Sequence, residues 1–217
     1  STKQGSDGTR VARLKVTNID KTQPTVTFGT NGSTSYKKSQ STTVTVNDAS
    51  GINTLKYQWL QSATAPAESS FTATFTSGGT ITKSDGTGNN WYLWILAKDK
   101  AGNTTIVKSN AFYLDNTAPN TTAPTATSTT NSIVVTSAQT DSHSGINAST
   151  RQYSIKKTSD SSWGSWVTDS SNTHTFTNLT LNTEYQVRTQ VKDIAGNGYT
   201  VSGAKAITTV NITKPTI

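Results

Sequence analysis

The chain has 217 residues, of which 31% are hydrophobic and 14% charged, with no cysteine, no methionine and a net charge of +7. That length holds one large domain or two of about 100 residues each. The composition excludes a disulfide framework and thiolate metal sites, no apolar run approaches the roughly 18 residues of a membrane span, and the positive charge is scattered rather than gathered into the basic stripe that nucleic acid requires.

Residues 1–10 read as a flexible leader, and 11–19 (VARLKVTNI) alternate like a strand. Lys3, Arg10, Arg13, Lys15 and Lys21 stand in the first 24 residues against Asp7 and Asp20, and the rest of the excess is spread thinly. Asp20 opens an Asp-x-x-x-Pro phrase ending at Pro24. The phrase returns as Asp115 to Pro119, and again from Asn211 to Pro215 with asparagine in place of aspartate. The prolines are 95 and 96 residues apart, a spacing that marks a tandem array. Proline at the head of a strand costs no ladder hydrogen bond, so each seam opens a module.

The expected organisation is therefore residues 1–23 as a leader plus the last strand of a preceding module, 24–117 as module 1 and 118–217 as module 2. The piece reads as a cut from a longer chain. Strands are expected at 25–28, 42–46, 54–60, 71–75, 80–83, 91–98 and 104–114. In module 2 they fall at 125–128, 132–138, 151–156, 165–168, 174–177, 184–192 and 199–209. Thr- and Val-rich runs of period 2, split by Gly, Asn, Asp and Ser turns, give an all-β fold of two tandem immunoglobulin-like sandwiches. Tyr57, Trp59, Tyr153 and Ile155 are expected core residues.

One hairpin phrase occurs twice, YLWILAKDKAGN at 92–103 and YQVRTQVKDIAGN at 185–197. With NDASGINTLKYQW and YLDNTAP, module 1 resembles the bacterial Ig-like repeats of long surface proteins. Module 2, with TFTNLTLNTEYQVRTQVKDIAGN, resembles a fibronectin type III-like variant in which Leu179 precedes Tyr185 as in that family's tyrosine corner. The resemblance implies an extracellular or cell-surface setting, or the exterior of a phage particle, with neighbouring Ig-like modules of the same chain as partners. It is silent on ligand.

Six aspartates carry two readings: Asp20, Asp48, Asp99, Asp115, Asp141 and Asp193. The simpler is turn chemistry, in which Asp accepts backbone N–H groups two residues on and Gly or Asn takes the positive-φ position. The other is calcium at the seams, with oxygen ligands drawn from Asp48 or Asp141, Asp99 or Asp193, and Asp20 or Asp115. The acidic seam before proline is similar to cadherin linkers, although the denser acidic motifs of those proteins are missing.

Aligning the two hairpins puts Trp91, Leu93, Ile95 and Ala97 on the core face with Tyr185, Val187, Thr189 and Val191. The opposite face carries Tyr92, Trp94 and Leu96 in module 1 but Gln186, Arg188 and Gln190 in module 2. An apolar outer face in one copy suits stacking on a glycan or a protein contact; the alternative is cover by the 61–70 segment or by the neighbouring module. Trp163 and Trp166 form a second candidate platform, one ring expected in the core and the other at the rim.

His143 lies among Asp141, Ser142 and Ser144, but sequence neighbours are not thereby a nucleophile, a base and an orienter. No phosphate-loop or zinc spacing occurs. An intramolecular Lys–Asn cross-link is not readable from sequence. The expected role is a non-catalytic spacer of an exported, multi-module surface protein, with an aromatic-face binding module as the alternative.

Overall fold

The structure, a computed structural model, describes residues 19–210. The leader, all but Ile19 of the strand expected at 11–19, and the third seam from Asn211 to Pro215 lie outside the described residues.

Module 1 is built from β1 (Thr25–Phe28), β2 (Ser33–Lys37), β3 (Gln40–Asn47), β4 (Ile52–Leu60), β5 (Ala73–Thr74), β6 (Gly79–Lys83), β7 (Gly88–Asp99), β8 (Thr104–Lys108) and β9 (Phe112–Leu114). One sheet has the order β1-β3-β6. The facing sheet has the order β2-β9-β7-β4-β5, with β8 also on β7. Alternation in β3, with Thr42, Val44 and Val46 inward, supplies one side of the core, and Leu93, Ile95 and Ala97 supply the other. Each fully buried aliphatic side chain contributes about 1.5–3 kcal/mol relative to exposure.

Module 2 repeats the plan with β10 (Asn120–Thr121), β11 (Thr125–Ser128), β12 (Ile133–Thr136), β13 (Gln139–Thr140), β14 (Ile146–Lys157), β15 (Val167–Thr168), β16 (Thr173–Phe176), β17 (Glu184–Asp193), β18 (Thr200–Val201) and β19 (Lys205–Thr208). Sheet β11-β12-β16 faces sheet β15-β14-β17-β18, with β19 also on β17. Ile133, Val135, Tyr153, Tyr185 and Val187 form its core. The fold is thus all-β, a pair of tandem sandwiches.

Two differences from the sequence expectation have physical causes. No strand is expected at 33–37; β2 is a polar edge strand that pairs parallel to β9, so no alternating apolar face announces it. The last strand of each module is broken in two. At the break the Leu93 N–H donates to the Ser109 hydroxyl at 3.0 Å, and the Thr189 N–H to the Ser202 hydroxyl at 2.9 Å. A serine side chain thus replaces one rung of the ladder in each module.

The corners at the two tyrosine/tryptophan positions also differ. In module 2 the Thr180 N–H donates to the Tyr185 hydroxyl at 3.0 Å and Leu179 packs on the core, so the tyrosine corner is formed. In module 1 Trp91 is held between the Lys83 ammonium, 3.8 Å from the ring centroid, and the backbone of Gly86. Gly86 has φ +83°, and a Cβ there would come within 2.5 Å of the indole. Only glycine fits both the turn and the ring.

Candidate functional site

The 61–70 segment and the residues after it decide the fate of the aromatic face. The chain folds back over β7 so that Phe71 closes on Trp94 and Leu96, with Leu60, Tyr92 and Ile106 around them. Trp94 is 4% exposed and Leu96 2%, and the Trp94 indole N–H donates to the Ser62 carbonyl at 3.0 Å. Glu68 pairs with Lys98, and the Lys108 ammonium lies 4.4 Å from the Tyr92 ring centroid. The exposed platform expected from Tyr92, Trp94 and Leu96 is therefore absent. It is a second, smaller core, because three large apolar side chains on one strand gain more from Phe71 than from water.

The Trp163/Trp166 expectation is corrected in a related way. Both rings are half-buried, and the Arg188 guanidinium lies 4.1 Å from the first and 4.6 Å from the second. Lys156 adds a further cation over Trp163 at 5.6 Å. Neither ring enters the core. Together they hold a partly desolvated arginine, whose pKa burial lowers.

The six aspartates gather into two groups of three, Asp20/Asp48/Asp99 and Asp115/Asp141/Asp193, with carboxylate oxygens within 4.8 Å of one another in each. Each group takes one residue from a seam, one from the turn before β4 or β14, and one from the end of β7 or β17.

At the second seam Asp115 leaves β9 with its N–H on the Lys37 carbonyl at 3.0 Å. Its Oδ1 accepts the Thr117 N–H and its Oδ2 the Ser144 N–H, both at 3.0 Å. Asp141 Oδ1 accepts the N–H groups of His143 and Gly145. Asp193 is gripped by Asn197, whose backbone N–H donates to Oδ1 at 2.8 Å and whose amide donates to Oδ2 at 2.6 Å. The same amide donates to the carbonyls of Asp115 and Thr117. One asparagine thus ties the hairpin of module 2 to the end of module 1.

The first seam repeats this wiring. Asn103 donates to Asp99 Oδ1 and Oδ2 and to the Asp20 carbonyl at 3.2 Å. Asp20 Oδ1 accepts the Thr22 N–H, and Asp48 Oδ1 accepts the N–H and hydroxyl of Ser50. The Thr22 N–H holds the Asp20 carboxyl below its ordinary value. Burial works against the charge of Asp99, but the Asn103 hydrogen bonds outweigh it and its pKa too is lowered.

Both readings of the aspartates meet here. The turn hydrogen bonds are made, yet they do not use up the oxygens. Asp20 Oδ2 and Asp48 Oδ2 are closed to solvent with no hydrogen-bond partner. Asp115 and Asp193 are fully buried. Among the described residues none of the six aspartates is in an ion pair. A carboxylate oxygen that accepts one hydrogen bond keeps a second lone pair, so each triad brings together three oxygens, one per aspartate, of the hard type that calcium takes.

Sequence reasoning missed Asn103 and Asn197 as the clamps. Their recurrence at the end of both Asp-x-Ala-Gly-Asn phrases was the available signal; the contacts to residues about 80 positions away were not. His143 has its ring nitrogen 3.1 Å from the Ser142 hydroxyl and makes a T-shaped contact with Tyr36 of module 1, with no nucleophile–base–orienter geometry. His174 pairs with Asp169 at 2.9 Å and stacks on Tyr153.

No family model and no curated protein matches the chain. Among solved structures it is similar to domains A168–A170 of titin (13% identity, TM-score 0.43, 80% of this chain and 59% of that one). It is also similar to the chicken CNTN1 FN1–FN3 domains (14%, TM-score 0.35, 88% and 68%). A third likeness is to the fibronectin(III)-like modules of Clostridium thermocellum CbhA (11%, TM-score 0.33, 86% and 95%). The chain spans under two thirds of the titin fragment. Among the described residues no helix is long and apolar enough to cross a membrane.

Proposed function

We propose that the chain is a non-catalytic structural segment of an exported, multi-module surface protein, acting as a semi-rigid spacer. The observation that carries this reading is Asp115. Its N–H is bound within module 1, while its carboxylate and carbonyl are bound by module 2, so the seam has no free linker. Export rests on the resemblance of the repeated hairpin and seam phrases to bacterial surface repeats. Spin labels at Thr64→Cys and Ser161→Cys, one per module in a chain otherwise free of cysteine, test the rod. A narrow distance distribution is expected, and a broad one would sink the reading.

A second element is favoured by the unpartnered oxygens of Asp20 and Asp48 and the burial of Asp115 and Asp193. Each triad is a site for calcium, held by Asp20, Asp48 and Asp99 or by Asp115, Asp141 and Asp193, which would offset three clustered negative charges. Calorimetric titration at millimolar calcium should show two sites, with Asp99→Asn and Asp193→Asn each removing one. No heat, together with a melting temperature indifferent to chelator, would leave the turn reading alone.

A further inference from the structure

The second seam shows what the matching ground of module 1 is shaped to receive. There module 1 presents the Leu114–Asp115 strand end beside a Tyr36/Tyr113 pair with ring centroids 5.1 Å apart. Tyr36 meets the His143 ring edge-on at 6.1 Å, and Leu114 is fully buried. In module 1 the positions of His143, Ser144, Ile194 and Ala195 are taken by Ala49, Ser50, Lys100 and Ala101. Asp20 is clamped by Asn103 as Asp115 is by Asn197. The Lys100 N–H donates to the Gly51 carbonyl at 2.9 Å, as the Ile194 N–H does to Gly145. The two grounds share the asparagine clamp and this hairpin-to-turn contact, while the turn before β14 is one residue longer than the turn before β4.

Among the described residues, what differs is cover. Ile19, at the position of Leu114, is 64% exposed. With Asp20, Ala49, Ser50, Lys100 and Ala101 it lines an open cleft of about 520 Å³. The corresponding ground of module 2 is where Tyr36 sits against His143. Two alanines at the rim of the cleft leave room for a ring in place of the histidine contact.

We propose that turn 48–52 and hairpin 99–103 form a docking face for the C-terminal end of another β-sandwich module, seated on module 1 as module 1 is seated on module 2. The partner's chemistry follows from the second seam. Its last strand ends in a buried aliphatic residue followed by aspartate, as Ile19–Asp20 does, and it sets an aromatic side chain against Ala49. This rests on the rod reading.

The test duplicates residues 20–114 in tandem within the full chain, so that one module 1 end meets the face of a second module 1. With Thr64→Cys in both copies, the distance distribution across the new seam should be as narrow as that from the second copy to Ser161→Cys. Ala49→Glu in the second copy alone should abolish the narrow component at the new seam and spare the other. A broad new seam beside a narrow old one overturns the docking face only, whereas breadth at both removes the rod reading as well. Concentration-dependent dimers of the unduplicated chain, lost in Ala49→Glu, would give the face to a second copy in trans and overturn docking in cis.

Discussion

Module 1 and module 2 cover the outer face of the same strand with opposite chemistry. In both, the segment leading to the short edge strand folds back across it. Module 1 closes an apolar plug of Phe71 on Trp94 and Leu96; module 2 closes two tryptophans on an arginine. The corner residues differ as freely, a tyrosine hydrogen bond in one and a lysine–tryptophan contact in the other. At the seams the two modules share one clamp, Asp to Asn to the preceding carbonyl. A sheet face only has to be covered, and many side-chain sets do that. A buried carboxylate with directional partners admits few alternatives.

The contrast can be broken in order of size. Trp94→Ala removes the centre of the plug and is expected to destabilise module 1 by about 3–5 kcal/mol. Denaturant unfolding should then separate into two transitions, with module 2 unshifted. Asn197→Ala removes the amide donor from one oxygen of a buried carboxylate and from two carbonyls, a loss of roughly 1–3 kcal/mol. It should also broaden the inter-module distance distribution. Asn103→Ala, which touches only the first seam, should leave that distribution narrow. Arg188→Ala is milder, at about 1–2 kcal/mol for two partly buried cation–ring contacts. Faster protease cleavage within 158–166 would report the loosened cover.

Acid gives the smallest effect and a clear sign. The hydrogen bond from His174, with the Ser171 N–H, holds the Asp169 carboxyl below its ordinary value of 3.8. As pH falls the unfolded chain therefore takes up the proton first, so this contribution is complete above the ordinary value and is lost through the lowered folded one. Thermal melts should be flat in this respect down to about pH 5 and decline below it. Asp169→Asn should flatten that decline.

Much of this was legible in the sequence. Period-2 runs located the central strands, and the doubled hairpin phrase placed the core faces of β7 and β17 correctly. Repetition also named all six seam aspartates, because a residue recurring at one offset in two modules must serve the same local geometry. Cover of Trp94 by the 61–70 segment stood as one of two readings, and the strand alone did not decide between them. Whether an apolar strand face meets solvent or a returning segment depends on Phe71, 23 residues away, and nothing in the alternation of 92–96 encodes it. The clamps failed for the same reason of distance, since Asn197 works on a carbonyl 82 positions earlier. The serine breaks in the last strands were hidden because a hydroxyl that substitutes for a rung looks, in sequence, like any polar residue of an alternating strand.

The parallel pairing of β2 with β9, Ser33 opposite Phe112 and Lys37 opposite Leu114, has a mechanical consequence. Tension applied at the two ends of module 1 pulls these strands in opposite directions along their length. Their rungs are then loaded in shear and must give way together rather than one by one. Module 2 joins its first and last strands through the Ser128 hydroxyl on the Thr208 carbonyl and the Val210 N–H on the Thr129 carbonyl. Under a steady stretch the second sandwich is expected to yield before the first, which single-molecule force extension would show as two separate unfolding events.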